Sequence, residues 1–171
     1  MISFIVTILF ILSAWHWGDW KNWKQYYPTM LYMIINAVLF NVLTYEYPTW
    51  EWRDHSGVFP NHTLLDLWII YTQFPAVVLL YLSHYPKSFK RKVLRWLIWV
   101  GIFTGLEVSV GIVKYIVYDN SWNIWWSIIF NMITFVMIPL HYRRPLLTWL
   151  FSLIVIACLC MIFELPLTKM R

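Results

Sequence analysis

Six long apolar runs, separated by short polar segments, decide what this chain can become. They cover residues 1–17, 28–47, 63–82, 96–118, 122–140 and 145–165. A helix crosses a bilayer with about 17–25 mostly apolar residues. Such runs satisfy their own backbone groups only as helices or closed barrels. The chain is 61% hydrophobic, 20% aromatic and 12% charged, whereas soluble domains carry about 25% charged residues. A soluble fold of this size cannot hide that much apolar surface. No polar stretch is long enough for a separate domain. The expected fold is therefore one all-α polytopic bundle over residues 1–171, with six spans. Five spans is the alternative, if the first run lies in the interface or is removed. That run lacks the basic start and small-residue cleavage site of a secretory signal, so a retained helix is expected.

The segments between the runs carry their own signals. Gly18 is expected to end the first helix. Asp19 is then placed to cap a short interfacial helix over residues 20–27, in which His16, Trp20, Trp23 and Tyr27 share one face and Lys21 and Lys24 point elsewhere. Pro28 suits the first turn of the second span, and Pro48 closes that span. The loop over residues 49–62 contains Glu51, Asp54, His55 and His62. Pro75 marks a kink in the third span. Residues 119–121 form a turn short enough to set the fourth and fifth spans side by side. Many tryptophans, Trp122 among them, lie near span ends, as in an aromatic belt. Cys158 and Cys160 point to opposite faces of one helix and cannot pair with each other.

Lysine and arginine set the expected orientation. Residues 83–95 hold Lys87, Lys90, Arg91, Lys92 and Arg95, which makes this loop cytoplasmic. Alternation puts Lys21, Lys24, Arg143 and Arg144 on the same side and both termini outside. Lys169 and Arg171 run against the bias. The net charge of +5 thus serves topology, and nucleic acid is excluded as a partner.

The polar residues inside the runs define a candidate site. Glu107 lies at the centre of the run 96–118, Asn131 at the centre of 122–140, and Gln73 and Asn36 near the centres of 63–82 and 28–47. At about 1.5 Å per residue all four fall within roughly 3 Å of one plane. Spans two to five are then the inner helices, with the first and sixth peripheral. Neutral polar residues in such helices serve as interhelical hydrogen-bond glue. A carboxylate is not needed for that, so Glu107 is open to function and structure alike. Protonated, it would donate one hydrogen bond; ionised, it would pair with Lys114, two turns away, or with water. His62 and Asp66, four apart on one face, suit a metal or proton relay, or a capped helix start with a local ion pair. Gly101, Gly105 and Ser109 form a small-residue face for close helix approach. Asn61, His62 and Thr63 match a glycosylation sequon. No nucleophile motif, phosphate-binding glycine loop, CxxC pair or HExxH is present, so no catalytic residue, metal or cofactor is expected.

The segments WHWGDWKNW at 15–23, FPNHTLLDL at 59–67, YLSHYP at 81–86, WNIWWSIIFN at 122–131 and LHYRRPLL at 140–147 resemble an uncharacterised family of small, tryptophan-rich multi-pass membrane proteins from spore-forming Gram-positive bacteria. The resemblance implies a bacterial cell membrane and a sequon present by chance. It implies no activity. Two functions stand: association with lipid, a membrane protein or a second copy of the chain, or a small transporter or ion- or proton-conducting protein using Glu107, Asn36, Gln73 and Asn131. An intramembrane enzyme comes third.

Overall fold

The computed structural model describes residues 2–53 and 57–166. Asp54, His55, Lys169 and Arg171 lie outside the described residues. Six α-helices run along the chain: α1 (Ile2–Trp17), α2 (Trp23–Leu43), α3 (His62–Leu82), α4 (Phe89–Ile112), α5 (Ile124–Arg143) and α6 (Pro145–Ile162). Between α2 and α3 lies strand β1 (Trp50–Trp52), and between α4 and α5 lies β2 (Ile116–Tyr118). Helices α2 to α6 are long and apolar enough to cross a membrane; α1, at 16 residues, is shorter.

Helix starts follow the side chains present. The Asn61 carboxamide accepts from the Leu64 N–H at 2.9 Å and caps α3. Asn123 does the same for α5 through the Trp125 N–H at 3.0 Å. Pro145, which needs no hydrogen-bond acceptor, occupies the first turn of α6. The end of α3 is closed from a neighbour: the Arg95 guanidinium of α4 donates to the carbonyls of Leu80, Ser83 and His84. Those are carbonyls that α3 itself leaves without partners.

Several boundaries depart from expectation. No separate interfacial helix forms over residues 20–27. A single 3-10 turn, Trp20–Asn22, leads directly into α2, and Pro28 sits inside that helix. Only one intrahelical bond is lost there, near an end that water reaches. Asp19 makes no side-chain cap bond. Its carboxylate accepts from the Asn22 amide at 2.9 Å and the Tyr26 hydroxyl at 3.0 Å, and the Asn22 bond holds its carboxyl below the ordinary carboxylate range. The second helix ends at Leu43, four residues early. The fourth shifts most: α4 begins at Phe89, takes in the basic residues to Arg95, and stops at Ile112. Lys and Arg favour helix, and their long stems let the charges reach water from an apolar segment. Lys114 then adopts a left-handed backbone, φ 55°. The β-branched and aromatic residues after it pair as strand.

The two strands form an antiparallel ribbon with Trp50 opposite Tyr118, Glu51 opposite Val117 and Trp52 opposite Ile116. Bonds from Arg53 N–H to the Tyr115 carbonyl and from Asp119 N–H to the Thr49 carbonyl extend it, at 2.8 and 2.9 Å. Helix α3 is the most enclosed, packed by α1, α2 and α5. Helix α4, expected among the inner helices, buries only Val100. An added Cβ at Gly101 or Gly105 would meet nothing within 4 Å, so the small-residue face meets no other helix of the chain.

Gly18 is required for space. Its φ is not left-handed, but an added Cβ would lie 2.3 Å from the Ala14 carbonyl oxygen and 2.8 Å from Leu79. Gly18→Ala is expected to lower the unfolding midpoint, at a cost of about 1–3 kcal/mol as for other overpacked sites. Gly101→Ala is expected to leave it unchanged or raise it. Equal midpoints for the two variants in a thermal unfolding assay would contradict this packing.

Candidate functional site: a cavity capped by the ribbon

All six helices and both strands contribute to the wall of one cavity of about 280 Å³. Small-molecule pockets run from about 300 to 1,000 Å³, so this one suits a compact guest. Most of the wall is apolar, including Val77, Phe103, Ile138 and Val155. Asn36, Gln73, Glu107, Asn131 and Asp66, five of the six residues singled out by sequence, lie on it. His62 does not.

The ribbon places both acids. Trp52 of β1 reaches α3 twice: its peptide N–H donates to His62 Nδ1 at 3.0 Å, and its indole N–H to Asp66 Oδ1 at 3.0 Å. The Asn41 amide of α2 donates to the other Asp66 oxygen. From β2, the Tyr118 hydroxyl donates to Glu107 Oε1 at 2.8 Å. Ser127 of α5 is a further hydrogen-bond partner of Glu107 and accepts from the Trp122 indole at 2.9 Å. Both carboxyl groups therefore sit at one end of the cavity, beneath the ribbon. Beside them Trp50 stacks on Phe40, with centroids 4.8 Å apart, and meets Trp122 at 4.9 Å and Phe130 at 6.2 Å. All four rings line the cavity. Trp122 is thus a buried packing residue, 5% exposed, instead of a member of a belt.

The expected plane moves. Glu107 is five residues from the end of α4, about 10 Å from the helix midpoint at ~1.5 Å per residue. Asn36 and Asn131 fall in the ribbon-side halves of α2 and α5. Gln73 stays near the middle of α3 and donates to Thr7 Oγ1 at 2.9 Å, where the Trp68 indole also donates. Helix α1 is therefore part of the wall, not peripheral. The Asn36 amide donates to the Tyr32 carbonyl at 2.8 Å. The Asn131 side chain makes no hydrogen bond among the described residues. Lys114 lies exposed beyond α4 and is not the partner of Glu107. No group of three or more metal-ligating side chains occurs among the described residues, and His62 and Asp66 both spend acceptors on Trp52.

Away from the ribbon a second buried polar cluster binds α2, α5 and α6. Thr29 Oγ1 and His141 Nδ1 are 3.0 Å apart, Tyr32 stacks on His141 at 4.2 Å, and the Tyr32 and Ser152 hydroxyls are 2.6 Å apart. Here the polar residues act as interhelical glue.

Trp52, Tyr118 and Asn41 are the partners that sequence reasoning missed. Asn41 carried a signal, a second carboxamide in the second apolar run. Trp52 and Tyr118 carried none, because their roles depend on strand pairing. The chain matches no family model, and neither curated proteins nor solved structures gave a match.

Removing the Tyr118 hydroxyl leaves Glu107 short of a donor. Tyr118→Phe and Glu107→Gln are each expected to cost about 1–2 kcal/mol of stability. The double variant is expected to cost little more than the larger single loss. Strict additivity in that double-mutant cycle would show that the two side chains do not interact.

Proposed function

We propose that this is an integral membrane protein whose six helices cross a bacterial cell membrane and hold a small guest in the cavity between them, as a binding protein or carrier. One observation carries the reading. Polar residues of all six helices converge on the wall of a single guest-sized cavity, and a purely adhesive role for them does not require a cavity. Resemblance to the tryptophan-rich bacterial membrane family supports the location.

The charges support an orientation. Lys21, Lys24, Lys87, Lys90, Arg91, Lys92, Arg95, Arg143 and Arg144 gather where α1 meets α2, α3 meets α4 and α5 meets α6. Among the described acidic residues all but Asp19 lie towards the ribbon. The positive-inside bias then puts residues 83–95 in the cytoplasm, and the ribbon and both termini outside. Association with another membrane helix is a second reading, supported by the exposed Gly101, Gly105 and Ser109 of α4.

Two measurements test the proposal. With Cys158 and Cys160 replaced by serine, Asn131→Cys is expected to react with a water-soluble methanethiosulfonate, whereas Leu153→Cys, 59% exposed on the outside of α6, stays inert in the bilayer. An Asn131→Cys thiol that reacts only after unfolding would mean a cavity closed to guests. Separately, Ser88→Cys should resist an impermeant label applied to intact cells, and labelling from outside would invert the orientation.

A further inference from the structure

We infer that the guest is a compact organic cation, an ammonium group on an apolar or aromatic body, whose charged end lies beneath the ribbon. The inference rests on the cavity being a binding site and adds the chemistry of its occupant.

The charge of the wall comes first. Among the described residues, Asp66 and Glu107 are the only Asp, Glu, Lys, Arg or His side chains on it. An anionic guest would meet those two carboxyl groups and no described cationic side chain. An ammonium ion would find oxygen acceptors and no competing positive charge. A metal ion is a poor fit, since no group of three ligating side chains occurs among the described residues and most of the surrounding wall is apolar.

A second observation is independent of the acids. Ser3, on the first turn of α1, is 3% exposed, and its hydroxyl has no hydrogen-bond partner among the described residues. Ser3 lies on the cavity wall, at the ribbon end, because its neighbour Phe4 stacks on Phe59 and meets Trp68 at a tilt near the start of α3. A buried hydroxyl without a partner costs about 1–3 kcal/mol. An ammonium N–H would satisfy it, as it would the vacant oxygen of Asn131.

The aromatic rings complete the match. Phe40, Trp50, Trp122 and Phe130 stand at the same end as the two carboxyl groups. Ring faces attract cations, and most strongly where water is excluded. The volume of about 280 Å³ admits an amine with one ring or a short branched chain.

The test uses the full chain in lipid nanodiscs, with empty nanodiscs subtracted to remove partition into lipid. Three probes share one apolar body: phenethylammonium, neutral 2-phenylethanol and anionic phenylacetate. Titration calorimetry should show saturable binding of the cation about ten-fold or more tighter than of either other probe. Glu107→Gln should weaken the cation by about ten-fold or more and weaken 2-phenylethanol by much less, so that the cation's advantage shrinks. Equal affinity for cation and neutral probe, tighter binding of the anion, or an unaltered cation affinity in Glu107→Gln would overturn the inference and leave the cavity a binding site. Failure of all three probes to bind would overturn the binding-site reading as well. If Glu107→Gln does not fold, the ranking of the three probes on the unsubstituted protein decides alone.

Discussion

The pairing of Trp50–Trp52 with Ile116–Tyr118 is the constraint on which the site depends. Strand backbone cannot satisfy itself as a helix does, so each segment needs the other to cover its N–H and C=O groups where water thins out. Once paired, the strands point side chains into the helices from above. Trp52 fixes the start of α3 through His62 and Asp66, Tyr118 holds Glu107 near the end of α4, and Trp50 fills the aromatic cluster with Phe40, Trp122 and Phe130. A separated ribbon would leave two carboxyl groups, the buried Asp66 and the half-buried Glu107, short of donors. The cost of such groups in a membrane protein is what makes the pairing matter.

Polar residues do two different jobs in this molecule. Around Thr29, Tyr32, His141 and Ser152 the hydroxyls and imidazole find one another across three helices, and the contacts close. Under the ribbon Asp66 and Glu107 have their donors, but two groups stay open among the described residues: Ser3 keeps a buried hydroxyl without a partner and Asn131 a carboxamide without one, both on the same cavity wall. Tyr32 and Ser152 also reach the cavity wall, but with their hydroxyls already paired. Glue explains that set and leaves Ser3 and Asn131 unexplained.

Much of the helical framework was legible in the sequence, because apolar length and the position of basic loops are set by the bilayer itself. Asn36, Gln73, Glu107 and Asn131 do line one cavity, but not because helix middles meet: Glu107 lies near the end of α4, and Asn36 and Asn131 fall in the ribbon-side halves of their helices. What escaped was governed by pairing. Apolarity shows that residues 113–118 avoid water, but it does not distinguish helix from buried strand. Reading them as helix centred Glu107 too deep and invited Lys114 as its partner. The true partner, Tyr118, became available only when the segment left the helix to pair with β1. Pro28 misled for a related reason: a proline near a helix start is tolerated in several places, so it marks a region and not a boundary. Gly18 pointed to the right place for the wrong reason, since it admits the Leu79 side chain and not a left-handed cap.

The account turns on whether the two carboxyl groups under the ribbon meet the guest. Infrared difference spectroscopy of the protein in bilayers, with and without phenethylammonium, reads those groups directly. A change in the carboxyl absorption on binding, lost in part when Glu107 is replaced by glutamine, is the predicted result. Saturable binding with no change in any carboxyl band would contradict it.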